Sequence, residues 1–526
     1  MRNFHRPGRS VAMGCHGAAA TSHQQATLIA AEVLRNGGAA TDAAVAAAAL
    51  LGVIEPNSTG IGGDSFALVW QADEGKLYGV NGSGHAPEGL STEWLLGQGV
   101  GRISEDSVHS VLVPGALRCW ETLLARFGRH SLTDMLAPAI SSAEGGFPVA
   151  ERIAHDWAFH GHRLDRHDES RRVLLHGGSP PAPGTVIRFP KLARTLRQVA
   201  EGGADAFYTG DVATAMVATL GGLGGRHSVD DFASWRPQFV TPVTTRYRDV
   251  DVHQIPPNGQ GIMVSIMLNV LEGFDHAALD PLGADRFHLQ IEAYRLAAAA
   301  RNEYIADPDH AEVPVAELIS PSYADALRDR IDPRRAMMGA MVEPIGPTDT
   351  IYLTTADAEG NMCSFISSIS AAFGSAILCP RTGVLFQNRG SGFVVEPGHR
   401  NAVAPRKRSL HTIIPGFATR VGAPWLSFGV MHGLYQPVGQ VQVLQNILDF
   451  GMDVQEAINA PRGLRDASAF HAETAIPEAT MLELLRRGHP VSVASEPWGG
   501  AQAILSCNGV FFAGSDPRKD GAAAAW

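Results

Sequence analysis

A layered α+β fold is predicted by three features of this chain. Its first third is rich in alanine arranged in helical runs, alternating strand patterns begin at Thr350, and no regular βαβ rhythm connects them. The last of these argues against a parallel doubly wound sheet. With 526 residues, 45% of them apolar, the chain is long enough for one large interlocked globule or two to three domains. Its 42 Lys+Arg against 53 Asp+Glu give a net charge of −11, which disfavours nucleic acids and anionic membranes as partners. The N-terminal segment carries basic residues but no apolar run before Gly14, so no secretory signal is read there and a cytoplasmic location is expected.

Taken in order, Ser22-His23-Gln24-Gln25 has the form of a capping box opening a helix over Ala26–Leu34, and Asn36-Gly37-Gly38 ends it. Thr41 or Asp42 caps the next helix, Ala43–Leu51, which is apolar nearly all round and therefore buried. The glycine-rich turn from Glu55 to Ser65 leads into a strand over Phe66–Trp70. That order, helix then glycine loop then strand, is the reverse of a dinucleotide fingerprint. A strand over Ser107–Val113 and helices over Ala116–Leu124 and Leu132–Ala143 follow. The middle of the chain reads as helices between polar turns, including Phe287–Arg301 and Ser322–Ile331. Beyond Thr350, strands are predicted over Thr350–Ala356 and Met362–Ile366 around the turn Asp357–Gly360. Further strands are read at Val384–Gln387, Leu426–Val430 and Ala503–Cys507, with a helix over Val438–Asp449.

The five cysteines (Cys15, Cys119, Cys363, Cys379, Cys507) lack C-x-x-C spacing and fit reduced thiols. The histidines between His155 and His167 are interleaved with Arg and Asp without a zinc-type spacing, so no metal is assigned to them. The Asp349-Thr350 step, where a strand opens after a Met- and Pro-containing loop, is a candidate for self-cleavage. Cutting there makes Thr350 an N-terminal residue whose hydroxyl is the nucleophile and whose α-amine is the base.

Several separated segments share a resemblance: Asn36 to Ala47, Gly60-Ile61-Gly62-Gly63-Asp64, Val113-Pro114-Gly115-Ala116, the Thr350 stretch, Gln387-Asn388-Arg389-Gly390, and Gly514-Ser515-Asp516-Pro517-Arg518. Together, in this order over nearly the whole chain, they resemble the γ-glutamyltransferase family of N-terminal nucleophile hydrolases, in its non-secreted bacterial branch. The resemblance implies a four-layer αββα sandwich. It also implies a precursor cut between Asp349 and Thr350 into a large subunit of residues 1–349 and a small one of residues 350–526, interlocked in one globule. Thr350 would be the nucleophile, Ser368 would support it in place of a family threonine, and the backbone N–H groups of His432 and Gly433 would form the oxyanion hole. His432 stands where the family has glycine, and a side chain there disfavours a left-handed backbone, so a reshaped hole is expected.

The substrate positions depart further from the family pattern. His85 occupies the place of a carboxylate-binding arginine, Gly392 that of an acidic residue, Arg389 that of an amide beside Asn388, and His411-Thr412 that of a serine pair. Three readings follow. The first, placed ahead on the whole-chain match, is a γ-glutamyl amidohydrolase or transferase acting on glutathione-like peptides. The second is a hydrolase of a small carboxylate amide such as oxamate, or an acylase, which Arg389 and the missing acid favour. The third is a catalytically impaired member with a binding role. No cofactor and no metal are implied. The expected partners are the amide or peptide substrate and the two fragments themselves as a heterodimer, with a higher oligomer left open.

Overall fold

The computed structural model describes residue 5, residues 8–339 and residues 350–526. Asp349 lies outside the described residues, and so does the rest of the segment 340–349.

Two seven-stranded sheets form the centre. The first runs, in spatial order, Ala522–Ala525, Ala18–Thr21, Ile351–Ala356, Met362–Ser368, Asp64–Gln71, Lys76–Gly82 and Gln238–Val240. The second runs Ala12–Gly14, Val510–Ser515, Ala501–Cys507, Ala423–Val430, Gly416–Arg420, Val250–Gln254 and Val243–Tyr247. All pairings within both sheets are antiparallel. Each sheet therefore mixes strands from before and after Thr350.

The apolar side chains fall into layers that follow from the alternation of strand faces. Phe66, Leu68, Tyr352 and Ile366 of the first sheet meet Phe417, Ile504 and Phe511 of the second in one buried cluster. The opposite face of the first sheet, with Ala67, Val69, Leu353 and Phe365, packs under helices Gln24–Arg35, Ala40–Ile54, Ala116–Phe127 and Leu132–Gly145. The outer face of the second sheet, with Val252, Leu426 and Phe428, packs under helices Ile262–Leu271, Ala284–Tyr304 and Gln436–Leu448. The result is the predicted α+β fold as an αββα sandwich.

Local differences from the sequence reading have physical causes. The first helix spans Gln24–Arg35 and is capped by His23, whose Nδ1 accepts the Gln25 N–H at 3.2 Å. Ser22, read as the cap, instead donates its hydroxyl to Glu55 at 2.8 Å. The buried second helix spans Ala40–Ile54, with Asp42 in its first turn reaching back to the Ala39 N–H at 2.8 Å and accepting the Arg129 N–H at 2.9 Å. Ser107–Val113 is not a strand: the Ser107 hydroxyl accepts the His109 N–H and folds Val108–Ser110 into a 3₁₀ turn. Val384–Gln387 joins neither sheet and makes only a single bridge, Leu385 to Leu378. No described helix is long and apolar enough to cross a membrane.

Burial holds the imidazoles of His23, His227, His253 and His411 down to about 4 and that of His489 to about 3. Unfolded, each titrates near about 6.5, so the unfolded chain binds more protons between those values. Their contribution to stability is whole above about pH 6.5 and is lost as pH falls toward 4. The thermal unfolding midpoint is expected to drop steeply over that window. A flat midpoint from pH 6.5 to 4.5 in a pH-resolved melt would contradict this.

Candidate active site

Thr350 sits at the mouth of the strand Ile351–Ala356, one residue before its pairing with Met362–Ser368 begins at Ile351 and Ser367. It is 1% exposed, and its hydroxyl donates to the Ser368 hydroxyl at 3.2 Å. Ser368 Oγ in turn accepts the Ser370 N–H at 2.9 Å, which fixes its orientation. Thr350 shares its strand face with Tyr352 and Thr354, which look across to the second sheet. Tyr352 lies flat against Gly429, where a Cβ would stand 2.4 Å from the ring, and Thr354 Oγ1 is 2.6 Å from Ser427 Oγ. These contacts step in opposite directions along the two strands, so the Thr350 end of the first strand lies toward the Val430 end of the second, where Met431 comes next. His432 and Gly433 follow at once.

The strand Ala423–Val430 runs into this turn, and the helix Gln436–Leu448 starts just after it. His432 adopts the left-handed conformation, φ 92° and ψ 67°, and Gly433 has φ 43°. Such a conformation costs a non-glycine residue about 1–3 kcal/mol. Contacts that offset it include the edge-on packing of the imidazole on Trp498 (centroids 5.5 Å) and the Tyr435 N–H donated to the His432 carbonyl at 2.9 Å. The turn stands at the positive end of the helix Gln436–Leu448.

Asp64 organises the neighbouring loops. It is fully buried, pairs in register with Ser368, and accepts the Gly84 and Gly115 N–H groups at 3.0 and 3.1 Å. Its two oxygens also take the Gln387 side-chain amide at 3.1 Å and His411 Nε2 at 3.0 Å. Gly84 has no room for a side chain, since a Cβ would stand 1.6 Å from the Val113 carbonyl oxygen. His411, a predicted substrate contact, therefore has its Nε2–H committed to Asp64. Burial keeps it neutral with its pKa at about 4, the Arg389 charge adding to that effect against the pull of Asp64. The hub itself was missed as a site residue, although a carboxylate at the end of a double glycine and the start of a buried strand is a signal.

Two other predicted contacts are engaged with backbone. The Asn388 amide accepts the Ala371 N–H at 3.0 Å and donates to the Glu105 carbonyl at 3.0 Å. His85 is buried, its Nδ1 lies 2.9 Å from the Ala86 carbonyl, and burial lowers its pKa. With Nδ1–H given to that carbonyl, a neutral His85 offers a ligand an acceptor, not a charge.

Arg389 is different. Its backbone N–H donates to Gln387 Oε1 at 3.0 Å and its Nη1 to Thr412 Oγ1 at 2.6 Å. The guanidinium is 4% exposed, yet Nε and Nη2 have no acceptor among the described residues. Burial lowers its pKa to about 10, with Asp64 pulling the other way, so it is a cation at neutral pH. The Thr412 carbonyl accepts Gln260 Nε2 at 2.7 Å, and the same nitrogen donates to the Gly433 carbonyl at 3.0 Å. Gln260 thus ties the Arg389–Thr412 pair to the turn opposite Thr350, and its own Oε1 is buried without a partner among the described residues.

Elsewhere, His288, Glu292 and His489 come together with ligand atoms within 4.8 Å. Their donors and acceptors are already engaged: His288 Nδ1 lies 2.8 Å from His489 Nε2, and Glu292 pairs with Arg295 at 2.9 Å. The charges of Arg295, Arg465 and Arg487 also reach His489, surroundings unsuited to a cation.

A sequence model of the Gamma-glutamyltranspeptidase family matches residues 26–526. The chain is 33% identical to a glutathione hydrolase-like proenzyme of Bacillus subtilis, over 97% of this chain and 98% of the relative. It is also 33% identical to the oxamate amidohydrolase proenzyme of Klebsiella pneumoniae, with the same coverage of 97% and 98%. A crystal structure of cephalosporin acylase from Bacillus halodurans superposes with a TM-score of 0.93 at 38% identity, covering 100% of this chain and 99% of that one.

Proposed function

The chain belongs to the gamma-glutamyltranspeptidase family of N-terminal nucleophile amidohydrolases, and from that premise we propose that it cuts itself before Thr350 and then hydrolyses amides whose acyl half carries a carboxylate. In the cut, the Thr350 hydroxyl attacks the Asp349 carbonyl, the peptide C–N bond breaks, and water hydrolyses the resulting ester, leaving Thr350 with a free amine. In turnover, that amine takes the hydroxyl proton as Oγ attacks the substrate carbonyl and returns it to the departing amine; water then releases the acid from the acyl-enzyme. The Ser368 hydroxyl orients Oγ, and the His432–Gly433 amides receive the oxyanion.

One observation carries the choice of acyl group: the buried Arg389 guanidinium with Nε and Nη2 unpartnered among the described residues. A buried cation with donors to spare is costly unless an anion joins it, and a planar fork suits a carboxylate. The nearby Asp64 is committed to Gly84, Gly115, Gln387 and His411, and Gly392 supplies no acid, so neither position offers an α-ammonium a free carboxylate. This favours an acylase or small-carboxylate amidase over γ-glutamyl specificity. A second reading, γ-glutamyl transfer, draws support from Gln260 Oε1, a buried neutral acceptor for an ammonium.

Glutaryl anilide and γ-glutamyl anilide differ only in that ammonium. We expect the processed protein to prefer the glutaryl compound by about tenfold or more in kcat/KM, the scale of one mismatched buried charge. A preference for γ-glutamyl anilide would overturn this choice.

A further inference from the structure

A cavity of about 440 Å³ reaches the His432 turn, and neither Gln260 nor Arg389 is among its lining residues. Met431 and His432 line it on the side of the turn, and Trp498 lines it as well. Tyr435 stacks behind Trp498 at 5.7 Å while His432 meets it edge-on at 5.5 Å, so the indole is held in place. Further lining comes from the histidine-rich helix Glu151–His160 and the turn after it, with Phe159, His160 and His162 facing the space. Phe159 is 54% exposed there, an aromatic with no burial of its own to account for it.

The cavity's charges are matched within the protein. Arg152 reaches Asp156 at 2.7 Å and Glu496 at 3.5 Å, Lys519 reaches Asp156 at 3.2 Å, and His471 reaches Asp466 at 2.9 Å. No strong field of one sign selects an ion here, and what remains to recognise a ligand is aromatic surface. The volume lies in the range of about 300–1,000 Å³ typical of pockets for drug-sized molecules. Ammonia or methylamine would leave it nearly empty.

We propose that this cavity receives the departing half of the substrate amide, and that it is built for an amine borne on a flat ring system. The proposal rests on the reading above, in which the acyl carbonyl sits between Thr350 and the His432–Gly433 amides with its carboxylate at Arg389. The other arm of the amide leaves the turn by way of the cavity that Met431 and His432 share with Trp498 and Phe159. On this account the histidine-rich segment serves the substrate as a wall.

The test holds the acyl group constant as glutaryl and varies the amine from ammonia to aniline to 2-naphthylamine. The quantity read is the ratio of kcat/KM for the naphthylamide to that for the primary amide, which reports on steps up to acylation. Trp498→Ala removes the platform. Ser495→Trp, at an exposed position on the rim, fills the space without touching the core. Comparing each variant with the parent cancels the intrinsic reactivity of the leaving groups. The ratio is expected to fall about tenfold in each, the scale of a lost aromatic contact with its buried area. A ratio unchanged in both variants overturns the subsite, while continued self-cleavage and turnover of the primary amide would leave the proposed function standing. If the parent turned over no glutaryl amide at all, both would fall.

Discussion

Thr350→Ala is expected to leave the purified chain uncut and to lower amidase activity by about a thousandfold or more, the scale on which loss of a covalent nucleophile is felt. The expectation rests on position as much as on residue type. Thr350 precedes a strand face that meets the second sheet through Tyr352 and Thr354, at the end of that face toward which the strand Ala423–Val430 runs. Only a hydroxyl at this point can attack the preceding carbonyl and later the substrate from the same place. Thr350→Ser keeps the hydroxyl and its bond to Ser368, so it should cut more slowly but to completion. Alanine at 350 with two bands on a denaturing gel would move the nucleophile elsewhere.

Arg389→Met is expected to act in opposite directions on activity and stability. If the guanidinium binds the acyl carboxylate, its loss should lower kcat/KM for glutaryl anilide by about 100- to 1,000-fold, since breaking a buried charge pair costs about 3–5 kcal/mol. In the free protein, however, Nε and Nη2 have no acceptor among the described residues and the side chain is 4% exposed. Replacing an unmatched buried cation by an apolar chain of similar length should raise the unfolding midpoint. A structural arginine would give the reverse pattern, a lower midpoint with activity falling only through loss of folded protein. Measuring both on one preparation separates the two roles.

Much of the fold was legible because its elements are strongly patterned. The helix Ala40–Ile54 is apolar on every side and is buried on every side, and the strands Ile351–Ala356 and Met362–Ser368 are short runs rich in strand formers, buried on both faces. The two false strands failed for different reasons. At Ser107–Val113 a serine side chain folded the backbone locally, a contest between turn and strand that residue preferences do not settle. At Val384–Gln387 the residues are apolar and extended, but Gln387 turns aside to Asp64 and the backbone crosses between loops. Whether a run of residues finds a partner strand is decided by the rest of the chain, not by the run.

The site was legible in its parts and not in its wiring. Thr350 and Ser368 lie at the ends of two paired strands of the first sheet, and the His432–Gly433 turn follows a strand of the second, all three strands being legible in the sequence. Asp64 and Gln260 were not singled out because each works by contacts to residues far away in sequence: Asp64 to Gln387 and His411, Gln260 to Thr412 and Gly433. His432 was read as a defect in a glycine pair. In the structure it takes up a left-handed backbone, and it lines a cavity.

The central claim is that the chain becomes an enzyme by exposing the amine of Thr350. Intact mass and N-terminal sequencing of the purified protein, denatured after prolonged incubation, test it most directly. We predict two chains, residues 1–349 and 350–526, the smaller beginning Thr-Ile-Tyr-Leu. A single chain of 526 residues, or a small chain beginning at any other residue, would contradict the account.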